Sequence, residues 1–297
     1  MSTLPEKVLL ATDGSEDAAL AARAAADLSA RSGSQLHVVH AWHSVPSPHF
    51  KSFIRSQLKE AAEELLAKQV ASIEGAGGDV AEAHLEEGRT VDMILSSAEK
   101  MGASLIVLGS RGHGSVGRIV MGSVSEGVVR HAHSPVLVMR GGNSAWPLER
   151  VILGDDGSEE ARKAGELAAA VGGFYGAKGL LVEAYPSLME VDVDEDEVTA
   201  RMLDDEGSFK TRERELGARA KEIEELLGSR PKVRISSGDP TVCLLSAAEE
   251  GGVPENALIA IGSRGLGAVR RTTLGSVSTK VLHAARGPVL VFRASSR

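Results

Sequence analysis

Leu105-Ile-Val-Leu-Gly109-Ser-Arg-Gly112-His-Gly114-Ser-Val-Gly117-Arg-Ile-Val-Met-Gly122-Ser123 is the stretch on which the fold turns. It opens with a short unbroken apolar run, the length of a strand buried on both faces. A loop with glycines at fixed places follows, and Gly122-Ser123 then opens a helix. The same pattern returns as Leu258-Ile-Ala-Ile-Gly262-Ser-Arg-Gly265 and, further on, Leu274-Gly275-Ser276. Both copies read Gly-x2-Gly-x9-Gly-Ser directly after an apolar strand. Glycine permits positive φ and close backbone approach. Successive amide N–H groups in such turns form an anion-binding concavity, and a helix N-terminus adds free N–H groups and a positive dipole end. Ser123 and Ser125 add hydroxyls. The combination reads as a triphosphate cradle.

Outward from this loop the chain is written twice. Lys7-Val-Leu-Leu-Ala-Thr-Asp13-Gly14-Ser15 returns as Arg150-Val-Ile-Leu-Gly-Asp-Asp156-Gly157-Ser158, and Ser134-Pro-Val-Leu-Val-Met-Arg140 as Gly287-Pro-Val-Leu-Val-Phe-Arg293. The offset grows from 143 to 153, so the second copy carries about ten extra residues. In the first copy strands are expected at Val8–Thr12, Leu36–Ala41, Asp79–Leu85, Leu105–Leu108 and Val136–Met139. Helices are expected between them, with Ser15 as an N-cap, Gly33 as a C-terminal stop, and Ser123–His131 after the glycine loop. Asp239-Pro240 supplies the N-cap and first residue of the corresponding third helix in the second copy. Gly207 and Gly217 would interrupt the long helix of that copy. Gly, Asn, Ser and Pro between Gly141 and Glu149 read as a joint, dividing the chain into 1–142, a linker 143–149, and 150–297. The expected class is α/β: two tandem five-stranded parallel-sheet domains with helices on both faces, Rossmann-like. Ligands of such sheets sit beyond the carboxyl ends of the strands.

Composition excludes several function classes. A net charge of −8 disfavours a nucleic acid or an anionic membrane as the main partner, and 3% aromatic residues disfavour a base-stacking platform. The single cysteine, Cys243, rules out an intramolecular disulfide and reads as a small buried residue. No signal-like or spanning apolar run is apparent, so a soluble cytoplasmic protein is expected. Gly-x-x-x-x-Gly-Lys-Ser/Thr is absent, which disfavours a Walker-type NTPase. Gly112-His-Gly114-Ser-Val-Gly117 matches a dinucleotide fingerprint, but it follows the fourth strand, and the next strand ends in Arg140 rather than an acid. An NAD site is rejected on that ground. His37, His40 and His43 are spaced by three, but two of them lie on a strand, where that spacing alternates faces, and His131 and His133 sit near a helix end, so no metal site is expected from them.

Each half resembles the universal stress protein family, through strand-end Asp13 and Asp156 and the two glycine loops. The resemblance covers nearly the whole chain and identifies it as a tandem two-domain member. It implies an adenine nucleotide alpha hydrolase-like fold and, in members with this loop, ATP binding. It implies that Asp13 meets the ribose end, the backbone near Ala41 faces adenine, and Gly109, Gly112, Gly122, Ser123 and Ser125 hold ribose and phosphates. The second set is Asp156, Ala184, Gly262, Gly265, Gly275, Ser276 and Ser278. It also implies pairing through the last strand of each domain, here internal, between Val136–Met139 and Val289–Phe292.

From the residues alone, Asp13 also suits capping of the first helix, and that reading stays open. Asp155 should point away from the phosphates by strand alternation, or meet a cation. Arg111 and Arg264, with Arg118, Arg270 and Arg271, flank the loops and either meet phosphates or form a solvated surface. His113, Thr272 and Thr273 are weaker candidates for phosphoryl chemistry. Mg²⁺ is expected with bound ATP, because three phosphates need neutralising. No base or protein-held metal for ATP hydrolysis is apparent, so a nucleotide-binding regulatory protein is the first reading. The alternatives are a slow ATP hydrolase or autophosphorylating enzyme, and a structural adaptor. Two pseudo-equivalent domains favour a homodimer of chains. The sequence names no downstream protein partner.

Overall fold

The computed structural model describes residues 4–43, 51–112, 121–185, 195–265 and 274–293. The first half runs β1 (Lys7–Ala11), α1 (Glu16–Ser32), β2 (Gln35–Trp42), α2 (Lys51–Gly75), β3 (Glu82–Glu87), α3 (Thr90–Met101), β4 (Leu105–Gly109), α4 (Ser123–His131) and β5 (Val136–Met139). The second repeats it: β6 (Arg150–Gly154), α5 (Glu159–Gly173), β7 (Lys178–Tyr185), α6 (Glu195–Leu227), β8 (Lys232–Ser237), α7 (Pro240–Glu249), β9 (Ala257–Gly262), α8 (Ser276–Ala284) and β10 (Val289–Phe292). Helix starts follow side-chain chemistry. Ser15 accepts from the Ala18 N–H, Ser158 from Ala161 and Asp239 from Thr241, while Gly33, with φ of 73°, stops α1.

The two expected five-stranded halves join into one continuous sheet. Ten strands run in the order β3-β2-β1-β4-β5-β10-β9-β6-β7-β8. Every neighbouring pair is parallel except β5 and β10, which pair antiparallel with Leu137 opposite Leu290. The resemblance-implied strand pairing is therefore inside the chain and joins the halves. The inner strands β1, β4, β5, β6, β9 and β10 are buried on both faces, as their unbroken apolar runs require, while the edge strands β3 and β8 stay partly exposed. Val8, Leu10, Leu105 and Leu137 pack toward α1, α2, α5 and α6; Leu9, Ile106, Val136 and Val138 pack toward α3, α4, α7 and α8. Each such fully buried side chain contributes about 1.5–3 kcal/mol of transfer free energy.

Three details go beyond the expectations. First, the linker is packed: Gly141 and Gly142 adopt positive φ, a single 3-10 turn covers Gly142–Ala145, and Ala145, Trp146 and Leu148 enter the core. Trp146 stacks edge-on against Tyr175 at 5.0 Å, and its Nε1 donates to Asp27 Oδ2 at 2.9 Å. Tyr175 donates to the same oxygen at 2.8 Å, and Arg31 lies 4.8 Å above the tyrosine ring. Burial alone would raise the Asp27 carboxyl, but hydrogen bonds from Trp146, Tyr175 and Arg31 outweigh it and hold the group below its ordinary value. Burial first, then the Asp27 contact, pushes the Tyr175 hydroxyl up. Second, α6 runs straight through Gly207 and Gly217. A helical glycine costs only about 1 kcal/mol relative to alanine, and burial of Leu216, Ala220, Ile223 and Leu227 along one face outweighs it. Third, β3 starts three residues later than its apolar pattern suggested, because register with β2, from His37–Glu82 to Trp42–Glu87, sets its length.

Two arginines at strand ends cross between the halves. Arg140, buried at the end of β5, donates to the carbonyls of Leu282 (2.7 Å) and Ala285 (2.8 Å) at the C-terminal end of α8. Arg293, just past β10, donates to the Arg130 carbonyl near the end of α4. Each satisfies helix-end carbonyls that would otherwise lack donors, with a cation at the negative end of the dipole.

Candidate functional site

At the carboxyl end of β1 the chain turns through Asp13 and Gly14, whose φ is 80°. Asp13 Oδ1 accepts the Ser15 N–H at 3.0 Å. Beside it β4 ends at Gly109, so close to α1 that a Cβ there would lie 2.6 Å from the Asp17 carbonyl carbon. The loop beyond is tied down at each step. Ser110 Oγ donates to Asp17 at 2.7 Å, and the Ser110 carbonyl accepts both the Gly122 N–H and Ser125 Oγ at 2.8 Å. A Cβ on Gly112 would stand 2.4 Å from Asp13 Oδ2. Gly109, Gly112 and Gly122 are absent from the positive-φ positions; crowding acts at each, from backbone at Gly109, from the Asp13 carboxylate at Gly112 and more gently at Gly122. α4 begins at Gly122 without a side-chain cap, unlike α1, and its first residues Ser123, Val124 and Ser125 line the resulting cavity. Its volume is about 390 Å³, with an apolar end formed by Val39, Ala41, Ile94 and Leu108.

The second half rebuilds this arrangement. Asp156 Oδ1 accepts the Ser158 N–H at 3.0 Å, a Cβ on Gly265 would lie 2.5 Å from Asp156 Oδ2, and the Gly275 N–H closes on the Ser263 carbonyl at 2.8 Å. α8 likewise starts without a side-chain cap, at Gly275. The cavity is about 420 Å³, its apolar end formed by Val182, Ala184, Leu244 and Ile261. Where the first cavity has Thr90, the second has Pro240, which lacks an N–H. Asp155 accepts the Gly157 N–H at 2.8 Å and meets Arg219 at 3.3 Å, so it is matched by a cation.

All sixteen residues singled out from the sequence line one cavity or the other. Their roles divide. The Arg111 guanidinium forms two 3.0 Å bonds to Asp17, and Arg264 bonds Glu160 at 3.1 Å, so both are braces between loop and helix. Ser125 and Ser278 spend their hydroxyl protons on backbone carbonyls at 2.8 Å, holding the glycine loop against the helix start. Asp13, the glycines, Ser123 and the α4 N-terminus complete the lining of the first cavity. Sequence reasoning missed Asp17 and Glu160 as brace anchors. The signal was present, since both recur at the repeat offset, but acids in a first helical turn also suit the dipole. Cys243 is half-buried rather than buried. His113, Gly114, Gly117, Arg118, Arg270, Arg271, Thr272 and Thr273 lie outside the described residues.

A doubly wound α/β sheet with a glycine-walled cavity at the strand ends of each repeated half defines a tandem two-site protein of Rossmann-like class. The chain belongs to the universal stress protein family, whose sequence profile matches residues 5–140 and again 147–293. A universal stress protein of Thermus aquaticus is 39% identical over 137 residues, 45% of this chain and 97% of that protein. One from Mycobacterium bovis is 31% identical over 196 residues, 65% of this chain and 63% of that protein. The crystal structure of a universal stress protein from Archaeoglobus fulgidus superposes with a TM-score of 0.67 at 26% identity, covering 97% of this chain and 98% of that one. Among the described residues no helix is long and apolar enough to cross a membrane.

Proposed function

We propose that each half binds one ATP, and that the chain is a nucleotide-dependent regulatory protein of the cytoplasmic stress response, working as a homodimer. The observation that carries this reading is the same in both halves. An uncapped helix N-terminus opens into a strand-end cavity beside closely packed glycines. That donor set suits a polyphosphate. Asp13 and Asp156 are the acceptors for ribose hydroxyls, and the β2 and β7 ends at Ala41 and Ala184 border the adenine. Ser123 and Ser276 add hydroxyls to the phosphate end. Mg²⁺ would be held chiefly by the phosphates and water, since the strand-end aspartates are engaged with backbone N–H groups. It would supply charge neutralisation.

Regulation is favoured over turnover because the strand-end carboxylates of Asp13, Asp155 and Asp156 are committed to backbone N–H groups rather than poised to activate water. The test is to denature the purified protein and count adenine nucleotides per chain. Two ATP support both sites; one ATP supports a single site, assigned by Asp13→Ala against Asp156→Ala. ADP released in proportion to enzyme, and reduced by Gly122→Glu, replaces the regulatory reading with a hydrolase. No nucleotide, and no thermal shift where saturation at 100 Kd should add about 2.7 kcal/mol, leaves the structural adaptor.

A further inference from the structure

The structure assigns a divalent transition-metal site to His37, Glu82 and His84, at the sheet edge formed by β2 and β3. Register places these residues together: His37 pairs with Glu82 and Val39 with His84, so all three side chains stand on one face of two adjacent strands. Within β2 alone the histidines alternate faces, and His40 Nδ1 turns instead to the Thr12 carbonyl at 2.8 Å. The decisive ligands come from β3, 47 residues away from His37 in the case of His84. This is the one group of three such side chains at ligand spacing among the described residues.

The distances fit an ion. His37 Nδ1 and His84 Nε2 are 3.3 Å apart, and Glu82 Oε2 stands 3.9 and 3.7 Å from them. Three points so placed lie on a circle of radius about 2.1 Å, which matches zinc–imidazole and zinc–carboxylate bond lengths. The carboxylate is too far from either nitrogen for a hydrogen bond, but it stands within ion-pair range of both rings. The two rings are nearly parallel, 17° apart with centroids 5.6 Å apart, and their facing nitrogens share a 3.3 Å hydrogen bond that a bound ion would replace. Two imidazoles and one carboxylate select a borderline ion such as Zn²⁺ over Mg²⁺ or Ca²⁺, which prefer oxygen. Both ligating nitrogens must be unprotonated, so His37 carries its proton on Nε2 and His84 on Nδ1; one ring changes tautomer and no proton is lost. Nε2 of His37 is buried without a hydrogen-bond partner, so this ring lacks the outer hydrogen bond that strengthens dedicated zinc sites. Micromolar affinity follows. Glu82, with 63% of its side chain exposed, leaves the fourth position to water.

The duplication supplies a control. The same register puts Leu180, Lys232 and Arg234 where His37, Glu82 and His84 stand in the first half, and those side chains cannot hold a cation. The site is therefore expected once per chain. It lies toward the start of β2, whereas Ala41 of the nucleotide cavity lies near its end, so it does not depend on the ATP reading.

The experiment is competition of zinc chloride against a chromogenic chelator, using the full chain without a histidine tag, with millimolar Mg²⁺ present. One zinc per chain at micromolar affinity is expected, falling at least about tenfold in both His84→Gln and Glu82→Gln. Glu82→Gln changes only an exposed side chain, which keeps the test clear of folding failure. Absence of saturable micromolar binding overturns the assignment, and so does zinc binding that persists unchanged in both variants.

Discussion

Two alanine substitutions only three residues apart should have opposite consequences. At Gly109 the new methyl would lie 2.6 Å from the Asp17 carbonyl carbon and 2.8 Å from the Ala18 nitrogen, both backbone. The first turn of α1 must then recede by roughly an ångström from β4, an overpacking that costs about 1–3 kcal/mol. At Gly112 the methyl meets only the Asp13 Oδ2, at 2.4 Å, and a carboxylate can swing away. Stability should fall by less than about 1 kcal/mol. The displaced carboxylate no longer accepts a ribose hydroxyl, and a hydrogen bond to a charged group is worth about 1.5–3 kcal/mol, or roughly 10- to 150-fold in Kd. The assay pairs urea denaturation with calorimetric titration of Mg-ATP, both in an Asp156→Ala background that silences the second site. Gly112→Ala binding within about twofold of its parent, at unchanged stability, would refute the placement of Asp13 against the ligand. A fully stable Gly109→Ala would refute the close approach of helix and strand.

Other consequences are equally open to measurement. Asp27→Ala strips the acceptor from Trp146 and Tyr175; because the Asp27 side chain is 36% exposed and water can replace part of the loss, about 2 kcal/mol is expected by urea titration. The same carboxylate is held below its unfolded value, so its contribution is present above about pH 4 and is lost as pH falls through the folded value. The stability gap between the parent protein and Asp27→Asn should therefore close in acid and not in base. Arg140→Met leaves the Leu282 and Ala285 carbonyls without their donor and should cost about 2–4 kcal/mol, while keeping most of the packing volume. It should also weaken ATP binding in the second half more than in the first, because it loosens α8, which equilibrium dialysis on Asp13→Ala and Asp156→Ala backgrounds would show.

Much of the architecture is legible in the sequence, because buried parallel strands write themselves as apolar runs and their helices as capped, amphipathic intervals. The bounds expected for Ser123–His131 and Val136–Met139 are those observed. What stays hidden is pairing across long separations. Composition at Gly141–Glu149 reads as a linker, and only the tertiary neighbours Asp27 and Tyr175 turn Trp146 into a fastening. Arg111 and Arg264 read either as phosphate ligands or as a solvated surface, and the sequence does not announce their ion pairs with Asp17 and Glu160. The edge strand β3 has too weak a pattern to announce its register, and with it the meeting of His37 and His84.

The antiparallel seam between β5 and β10 has a geometric consequence for signalling. Strands of the first half point one way along the sheet and those of the second half point the other. Cavities built at carboxyl ends therefore open on opposite rims of a single slab. A flat partner docking on one rim can reach only one cavity, and a partner that reads both must straddle the sheet. The chain thus presents two addresses facing away from each other. Any conversation between them must pass through the interior, by way of the seam itself and the arginines that reach across it.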